Sequence, residues 1–274
     1  MFAFHRSVFV LVTVSLALTA NACRGESPAP PQPLPQAHSH NDYEHDRPLL
    51  DALERGFCNV EADVYLVDGN LLVAHNWIDL RPQRTLEMLY LEPLKERIEK
   101  NGGKLFPGDQ RLTLLIDFKT DGSKTYPVLA AILKKYESLI SGMEDGKWTP
   151  RQIDVIISGN RPMELVTKDK SRLAAIDGRV SDLDDASNAD MMPLVSDNWS
   201  SHFAWRGDGE FPAEERQRLE RFVAQAHDQG RRLRFWGTPD SPEFWAMLQS
   251  AGVDVIGTDD LAALQHYLEK QSNK

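Results

Sequence analysis

Four short stretches of this chain break apolar runs with side chains able to do acid–base or metal chemistry. In Asn59-Val60-Glu61-Ala62-Asp63-Val64, alternation along a strand puts Glu61 and Asp63 on one face and Val60, Ala62 and Val64 on the other. Two like charges facing a packed interior are costly unless something neutralises them, and a hard divalent cation with oxygen ligands does so. Leu114-Leu115-Ile116-Asp117-Phe118-Lys119 repeats the logic: Asp117 and Lys119 share a face. Asp117 can complete a three-carboxylate site, and Lys119 can hold an anion as a point charge. The remaining two elements are histidines. His38-Ser39-His40 ends the first apolar run, and Asp68-Gly69 reads as a tight hairpin turn that returns His75 level with Ala62 and Asp63. The turn type decides which face His75 takes. Histidines flanking a carboxylate-bound metal suit general acid–base work on a phosphodiester, with the metal and Lys119 stabilising charge on the phosphoryl oxygens.

Each element has a commonplace reading. An acid pair two residues apart is usually a solvated strand face, Asp-x-Lys is usually a surface ion pair, and a lone histidine is usually structural, as His227 and His266 read on their helices. The weight lies in co-occurrence, each element falling at the end of an apolar run.

Those runs define the elements that must position the site. Strand-like segments lie at 36–40, 59–67, 112–118, 153–158, 173–176, 193–196, 232–236 and 253–257. Helical patterns lie at 48–55, 85–99, 124–140, 163–167, 213–229, 242–250 and 260–269. Leu219, Phe222, Val223 and Ala226 show the three-and-four spacing of a buried helix face, with Pro212 as the entry residue and Gly230 as the stop. Strand–helix alternation about eight times predicts an α/β fold, a single-domain (β/α)8 TIM barrel, in which chemistry sits at the C-terminal ends of the strands. An open doubly wound sheet is the alternative; no G-x-G-x-x-G or G-x-x-x-x-G-K-[ST] supports a nucleotide-binding version.

Outside the barrel, residues 1–22 read as a secretory signal peptide: Arg6, an apolar run from Val8 to Leu18, then Ala20-Asn21-Ala22 as an A-x-A cleavage site. The run is about a dozen residues, where a bilayer span needs roughly 20, so no transmembrane helix is expected in the mature chain. Cys23 reads either as an acylated lipid anchor or as an ordinary thiol. Residues 23–36 read as a Pro-rich tether and residues 37–274 as the barrel domain. The expected location is exported: a periplasmic or cell-envelope lipoprotein, or a secreted protein. Cys58 is the only other cysteine, so no disulfide framework supports the fold. The net charge of −10, without a basic stripe, argues against a nucleic-acid partner.

The order His40…Glu61-x-Asp63…Asp68-Gly69…His75…Asp117-x-Lys119…Gly257-Thr258-Asp259 resembles the glycerophosphodiester phosphodiesterase and phosphatidylinositol phospholipase C-like superfamily. The stretches HSHNDY, PLLDALERGF and VEADVYLVDGNLLVAH are most similar to its branch of exported and mitochondrial-inheritance-type proteins, and the spacing is similar to that of the sphingomyelinase D toxins. The resemblance implies a TIM barrel and one divalent cation, Mg²⁺ or Ca²⁺, bound by Glu61, Asp63 and Asp117. It implies His40 and His75 as the acid–base pair and substrate contacts from Lys119, Asn41 and Trp236. The implied substrate is a phosphodiester or phospholipid, cleaved with or without a cyclic phosphate product. The chain departs from the glycerophosphodiesterase pattern in three places. His40-Asn41-Asp42 replaces His-Arg-Gly and so removes a phosphate-binding arginine. Asp117 stands where many members have Glu. The interval from His75 to Leu112 has little room for the small insertion domain of many bacterial members.

Two other classes compete. A zinc amidohydrolase-like barrel would use His38-Ser39-His40 as an H-x-H metal motif, but it needs later strand-end histidines, and the fifth and sixth strands end in Ile176-Asp177 and Ser196-Asp197. A non-catalytic binding module would keep the barrel and use residues 198–205 (NWSSHFAW), with Trp199 and Trp205 packed at the rim or touching lipid.

Overall fold

The computed structural model describes residues 31–184 and 189–272. The predicted signal peptide and Cys23 lie outside the described residues. In chain order the elements are β1 (Leu34–Ser39), α1 (Leu50–Glu54), β2 (Phe57–Val67), β3 (Asn70–Val73), α2 (Glu92–Lys100), β4 (Leu112–Phe118), α3 (Gly122–Lys134), β5 (Gly142–Glu144), β6 (Lys147–Thr149), β7 (Ile153–Gly159), α4 (Met163–Lys168), β8 (Ala175–Gly178), β9 (Leu194–Asn198), α5 (Trp199–His202), α6 (Ala213–Asp228), β10 (Arg232–Trp236), α7 (Pro242–Ser250), β11 (Val255–Thr258) and α8 (Leu261–Ser272). Strands pair in parallel in the order β1-β2-β4-β7-β8-β9-β10-β11, and β11 returns to β1, closing an eight-stranded barrel. All eight predicted strands are barrel strands. No helix of the described residues is long and apolar enough to cross a membrane.

The predicted tether ends too late. Leu34, Pro35 and Gln36 already belong to β1: Leu34 pairs with Phe57, and its N–H donates to Gly56 O at 2.7 Å. Pro35 has no N–H for a ladder, which hides a strand in a Pro-rich segment; here it falls where the β1–β2 register shifts, between Leu34 and His38. A second Asp-Gly turn, Asp145-Gly146 with φ of 49° and 78°, closes the small β5–β6 hairpin, which the eight-strand reading did not include.

Alternation sorts each barrel strand into an outward row packed on helices and an inward row. Val60, Ala62 and Val64 join the main core beneath the helices, as do Leu114, Ile116 and Phe118. Inside the barrel the apolar filling is a small cluster of Leu115, Ile156, Ala175, Leu194 and Val255. Most (β/α)8 barrels fill their interior with branched apolar layers. Here polar side chains crowd both ends of that cluster. Below it, Arg232 donates to Asn59 Oδ1 and Thr113 Oγ1. Above it, at the C-terminal ends of the strands, stands the candidate site.

The β2–β3 hairpin turns at Asp68 and Gly69, with φ of 47° and 78°. Positive φ at both central residues is the type I′ turn whose twist matches the strands it joins. Val67 pairs with Asn70 and Val64 with Val73, and Ala74 N–H still donates to Asp63 O at 3.3 Å. The next residue, His75, is thereby delivered to the carboxylates.

Candidate active site

Glu61, Asp63 and Asp117 each offer an oxygen within 4.8 Å of the others. The parallel register pairs Asp63 with Asp117 across β2 and β4. Gly159, at the end of β7, makes room for the third carboxylate: a Cβ there would lie 2.2 Å from Asp117 Oδ1, and its φ of 67° is one that side chains rarely adopt. Lys119 Nζ lies 3.0 Å from Asp63 Oδ2 and 3.3 Å from Asp117 Oδ1. The three carboxylates, His40, Asn41, His75, Lys119 and Trp236 all line one cavity of about 200 Å³. Every predicted site residue is therefore at one place, brought together from the ends of β1, β2, β3, β4 and β10.

Four further polar residues line the same cavity: Ser158, Arg179, Ser196 and Arg234. Arg234 Nη2 donates to Glu61 Oε2 at 2.7 Å, and Arg179 Nη1 to the buried Asp177 Oδ2 at 2.8 Å. The signal for Arg234 was present, since Arg232, Arg234 and Trp236 alternate along β10 as Glu61 and Asp63 do along β2.

Electrostatics divides the carboxylates. Burial pushes the Glu61 pKa up, but Arg234 and the His38 hydrogen bond outweigh it and hold it well below the usual range, so Glu61 is a carboxylate. Its partner His38 is buried, and burial beside the Arg234 charge pulls its pKa down to about 3. His38 is thus a neutral imidazole whose Nε2–H donates to Glu61 Oε2 at 2.9 Å. Asp63 and Asp117 are shifted the other way: burial raises both, with the Glu61 charge adding and Lys119 opposing. Asp63 Oδ1 is buried without a hydrogen-bond partner among the described residues. A cluster with three carboxylates, two nearby cations and an orphaned buried oxygen has a deficit of positive charge, and its all-oxygen donor set fits a hard divalent cation.

The neutral state of His38 makes stability pH-dependent. Its folded pKa lies below that of the unfolded chain, so the unfolded state binds the extra proton. Stability is complete above about pH 6.5 and falls with pH down to about 3, by up to ~1.4 kcal/mol per pH unit for the one proton. In EDTA, urea titrations between pH 7.5 and 4.5 are expected to give a shallower slope for His38→Gln than for the native chain. Because Asp63 and Asp117 titrate in both proteins, equal slopes would reject this assignment.

The two cavity histidines are tied through Nδ1. His40 Nδ1 lies 2.9 Å from Asp259 Oδ1. Burial lowers the His40 pKa, but the Asp259 hydrogen bond and the Glu61 charge more than compensate, and the net shift is upward. His75 Nδ1 lies 3.2 Å from Tyr43 Oη and 3.4 Å from Asp63 Oδ2. Asn41 has φ of 46° and packs its amide between His40 Nδ1 (3.2 Å) and Tyr43 Oη (2.7 Å).

Two sequence expectations lose their footing. His38 is spent on Glu61, which leaves no free H-x-H pair for zinc. Trp199 is fully buried, stacked 4.1 Å from Phe203 and edge-on to Phe235 and Phe244, and the half-buried Trp205 stacks on Phe244 at 5.0 Å, so both tryptophans pack on the core rather than present a partner or lipid surface. An aromatic cluster spread over separate elements is invisible in a local window.

The fold and site together define a closed eight-stranded parallel barrel with an acidic cluster at the C-terminal ends of its strands. Residues 32–176 match the AIM6-like phosphodiesterase domain. The chain is 33% identical over 263 residues to Altered inheritance of mitochondria protein 6 of Eremothecium gossypii, covering 83% of this chain and 68% of that one. It is 29% identical over 263 residues to the homologue from Arthroderma benhamiae, covering 83% and 82%. The chain belongs to the AIM6-like phosphodiesterase family. Its fold is that of a solved glycerophosphodiester phosphodiesterase from Parabacteroides distasonis, with a TM-score of 0.52 and 17% identity over 88% of this chain and 99% of that one.

These relatives correct one expectation. They are fungal proteins named for mitochondrial inheritance, which overturns the expected exported location, whether periplasmic, cell-envelope or secreted. About a dozen apolar residues after one arginine state that a segment is apolar and leave open which membrane system reads it.

Proposed function

We propose that this protein is a metal-dependent phosphoric diester hydrolase acting on a glycerophosphodiester or a (lyso)phospholipid. The observation that carries the reading is the convergence, in one cavity, of a three-carboxylate cluster with two histidines whose Nδ1 atoms are both tied. Glu61, Asp63 and Asp117 would hold Mg²⁺ or Ca²⁺, which when bound offsets the carboxylates and draws charge from the phosphoryl oxygens.

His40, with Nδ1 committed to Asp259, presents Nε2 to an attacking hydroxyl and takes its proton, and Asp259 stabilises the imidazolium that forms. As the new oxygen–phosphorus bond forms, the opposite one breaks, and His75, entering as the imidazolium, gives its Nε2 proton to the leaving oxygen and keeps the Nδ1 proton that faces Tyr43. Attack by water gives two hydrolysed products; attack by a neighbouring substrate hydroxyl gives a cyclic phosphate. Lys119 holds a non-bridging oxygen, Asn41 and Trp236 bound the head group, and Arg179 supplies from β8 a guanidinium of the kind missing from the first motif.

Phosphorus NMR of the full chain on a panel of glycerophosphodiesters, lysophospholipids and sphingomyelin tests the reading. Turnover is expected to vanish in EDTA, return with Mg²⁺ or Ca²⁺, and fall at least about 100-fold in Asp117→Asn. Turnover that survives both EDTA and Asp117→Asn would remove the metal from the mechanism.

A further inference from the structure

Tyr43 is buried, and the proposed mechanism gives it no role. It stands in a short 3-10 turn, Asp42–Glu44, that follows directly on the His40-Asn41 corner. Its hydroxyl touches three groups from three segments: Asp63 Oδ2 at 2.6 Å, the Asn41 amide at 2.7 Å and His75 Nδ1 at 3.2 Å.

Counting protons assigns the directions. A phenol has one hydrogen to donate and two lone pairs to accept with. The shortest contact is to Asp63, a length typical of a hydroxyl donating to a carboxylate. With that proton committed, the other two contacts must donate to the phenol oxygen. The Asn41 amide does so when its nitrogen faces Tyr43, an end-for-end turn that exchanges two atoms of nearly equal size. Its carbonyl oxygen then faces His40 Nδ1, 3.2 Å away. That oxygen accepts from the same Nδ1–H that Asp259 holds. The remaining contact is His75 Nδ1–H donating to Tyr43. Every contact in the chain His40–Asn41–Tyr43–His75 then has a donor and an acceptor, with the His40 Nδ1–H shared between Asp259 and Asn41.

We propose that Tyr43 and Asn41 form a hydrogen-bonded bridge between the two histidines that fixes both imidazoles with Nδ1 protonated and Nε2 turned to the cavity. This deepens the acid–base reading of the site and rests on it for its use in catalysis. Tyr43 is a positioning residue: it acts through His75, and a ring free to flip or change tautomer would present the wrong nitrogen for much of the time. Asn41 thereby has a structural reason to stand where the glycerophosphodiesterase pattern has arginine, because a guanidinium has no acceptor to offer His40. The Asn41 φ of 46° also suits asparagine, which tolerates the left-handed region better than most side chains.

The test reads tautomers, without reference to turnover. Nitrogen-15 NMR of the histidine-labelled full chain at a pH where the imidazoles are neutral, with signals assigned through His40→Gln and His75→Gln, is expected to show both rings protonated at Nδ1. In Tyr43→Phe, His75 is expected to move toward the Nε2-protonated form that free histidine prefers, while His40 keeps its tautomer through Asp259. Nε2-protonated His75 in the native chain would overturn the bridge, whether or not Tyr43→Phe folds. So would a His75 signature unchanged in a folded Tyr43→Phe. If a substrate is in hand, kcat of Tyr43→Phe at saturating metal should fall about 10- to 100-fold with KM nearly unchanged. Added to His75→Gln, Tyr43→Phe should cost nothing further. Additive losses would mean a merely structural tyrosine. Absence of turnover in every protein would count against the hydrolase reading and leave the tautomer result standing.

Discussion

His40→Gln is expected to lower kcat by about 10²- to 10⁴-fold with little change in melting temperature. The imidazole is partly exposed at the barrel mouth, and its contacts there are Asp259 and the Asn41 amide, so its removal opens no core cavity. What is lost is the group placed to accept a proton at Nε2. Asp259→Asn gives the companion result. Burial lowers the His40 pKa, and the Asp259 hydrogen bond is the largest opposing influence. Without the carboxylate, the pKa drops. A base must be unprotonated to work, so activity falls as pH drops through that pKa. The acid limb of the kcat/KM profile should therefore shift to lower pH in Asp259→Asn. kcat itself should fall, because an uncharged amide cannot stabilise the imidazolium. A pH–rate series on native chain, His40→Gln and Asp259→Asn decides the matter. If His40→Gln keeps more than about a tenth of native kcat, the base lies elsewhere.

The barrel and the acidic centre were legible because both depend on local alternation. Glu61, Asp63, Asp117 and Lys119 announce themselves as charges on the inward rows of strands whose outward rows are apolar. His75 was legible through a turn, since Asp68-Gly69 fixes a two-residue hairpin and the hairpin fixes what lies opposite Asp63. The residues that escaped are those whose meaning depends on closure. Arg234 comes from β10, 173 positions after Glu61, and meets it only because β11 returns to β1. Tyr43 reads as an ordinary core aromatic until its hydroxyl is seen against Asp63. His38 reads as half of a metal motif until its Nε2 is seen on Glu61. Pro35 concealed the start of β1 because local propensity argues against a strand there, and only the register shift against β2 accommodates it.

Closure also determines the second large effect, which is on stability. Glu61→Gln is expected to destabilise the fold by about 3–5 kcal/mol, because Arg234 then keeps a buried charge with no anion against it. For a domain of this size that corresponds to a fall in melting temperature of roughly 6–20 °C. His38 worsens the loss, since its Nε2–H donates to the same oxygen, Oε2, that Arg234 uses. A hard cation adds a second signature. Mg²⁺ or Ca²⁺ should raise the melting temperature of the native chain and do little for Glu61→Gln, by the linkage between binding and folding. Glu61→Leu combined with Arg234→Met separates pairing from packing. Replacing both charges with apolar groups leaves no orphan guanidinium, so the double variant should melt well above Glu61→Gln while losing the cation response. Differential scanning calorimetry with and without the cation measures all three. A Glu61→Gln protein that melts within a few degrees of the native chain would mean that Arg234 finds another anion or water when Glu61 is neutral. In that case the Arg234 pairing would not be what holds Glu61 in the fold, and Glu61 would be free to serve the cation alone.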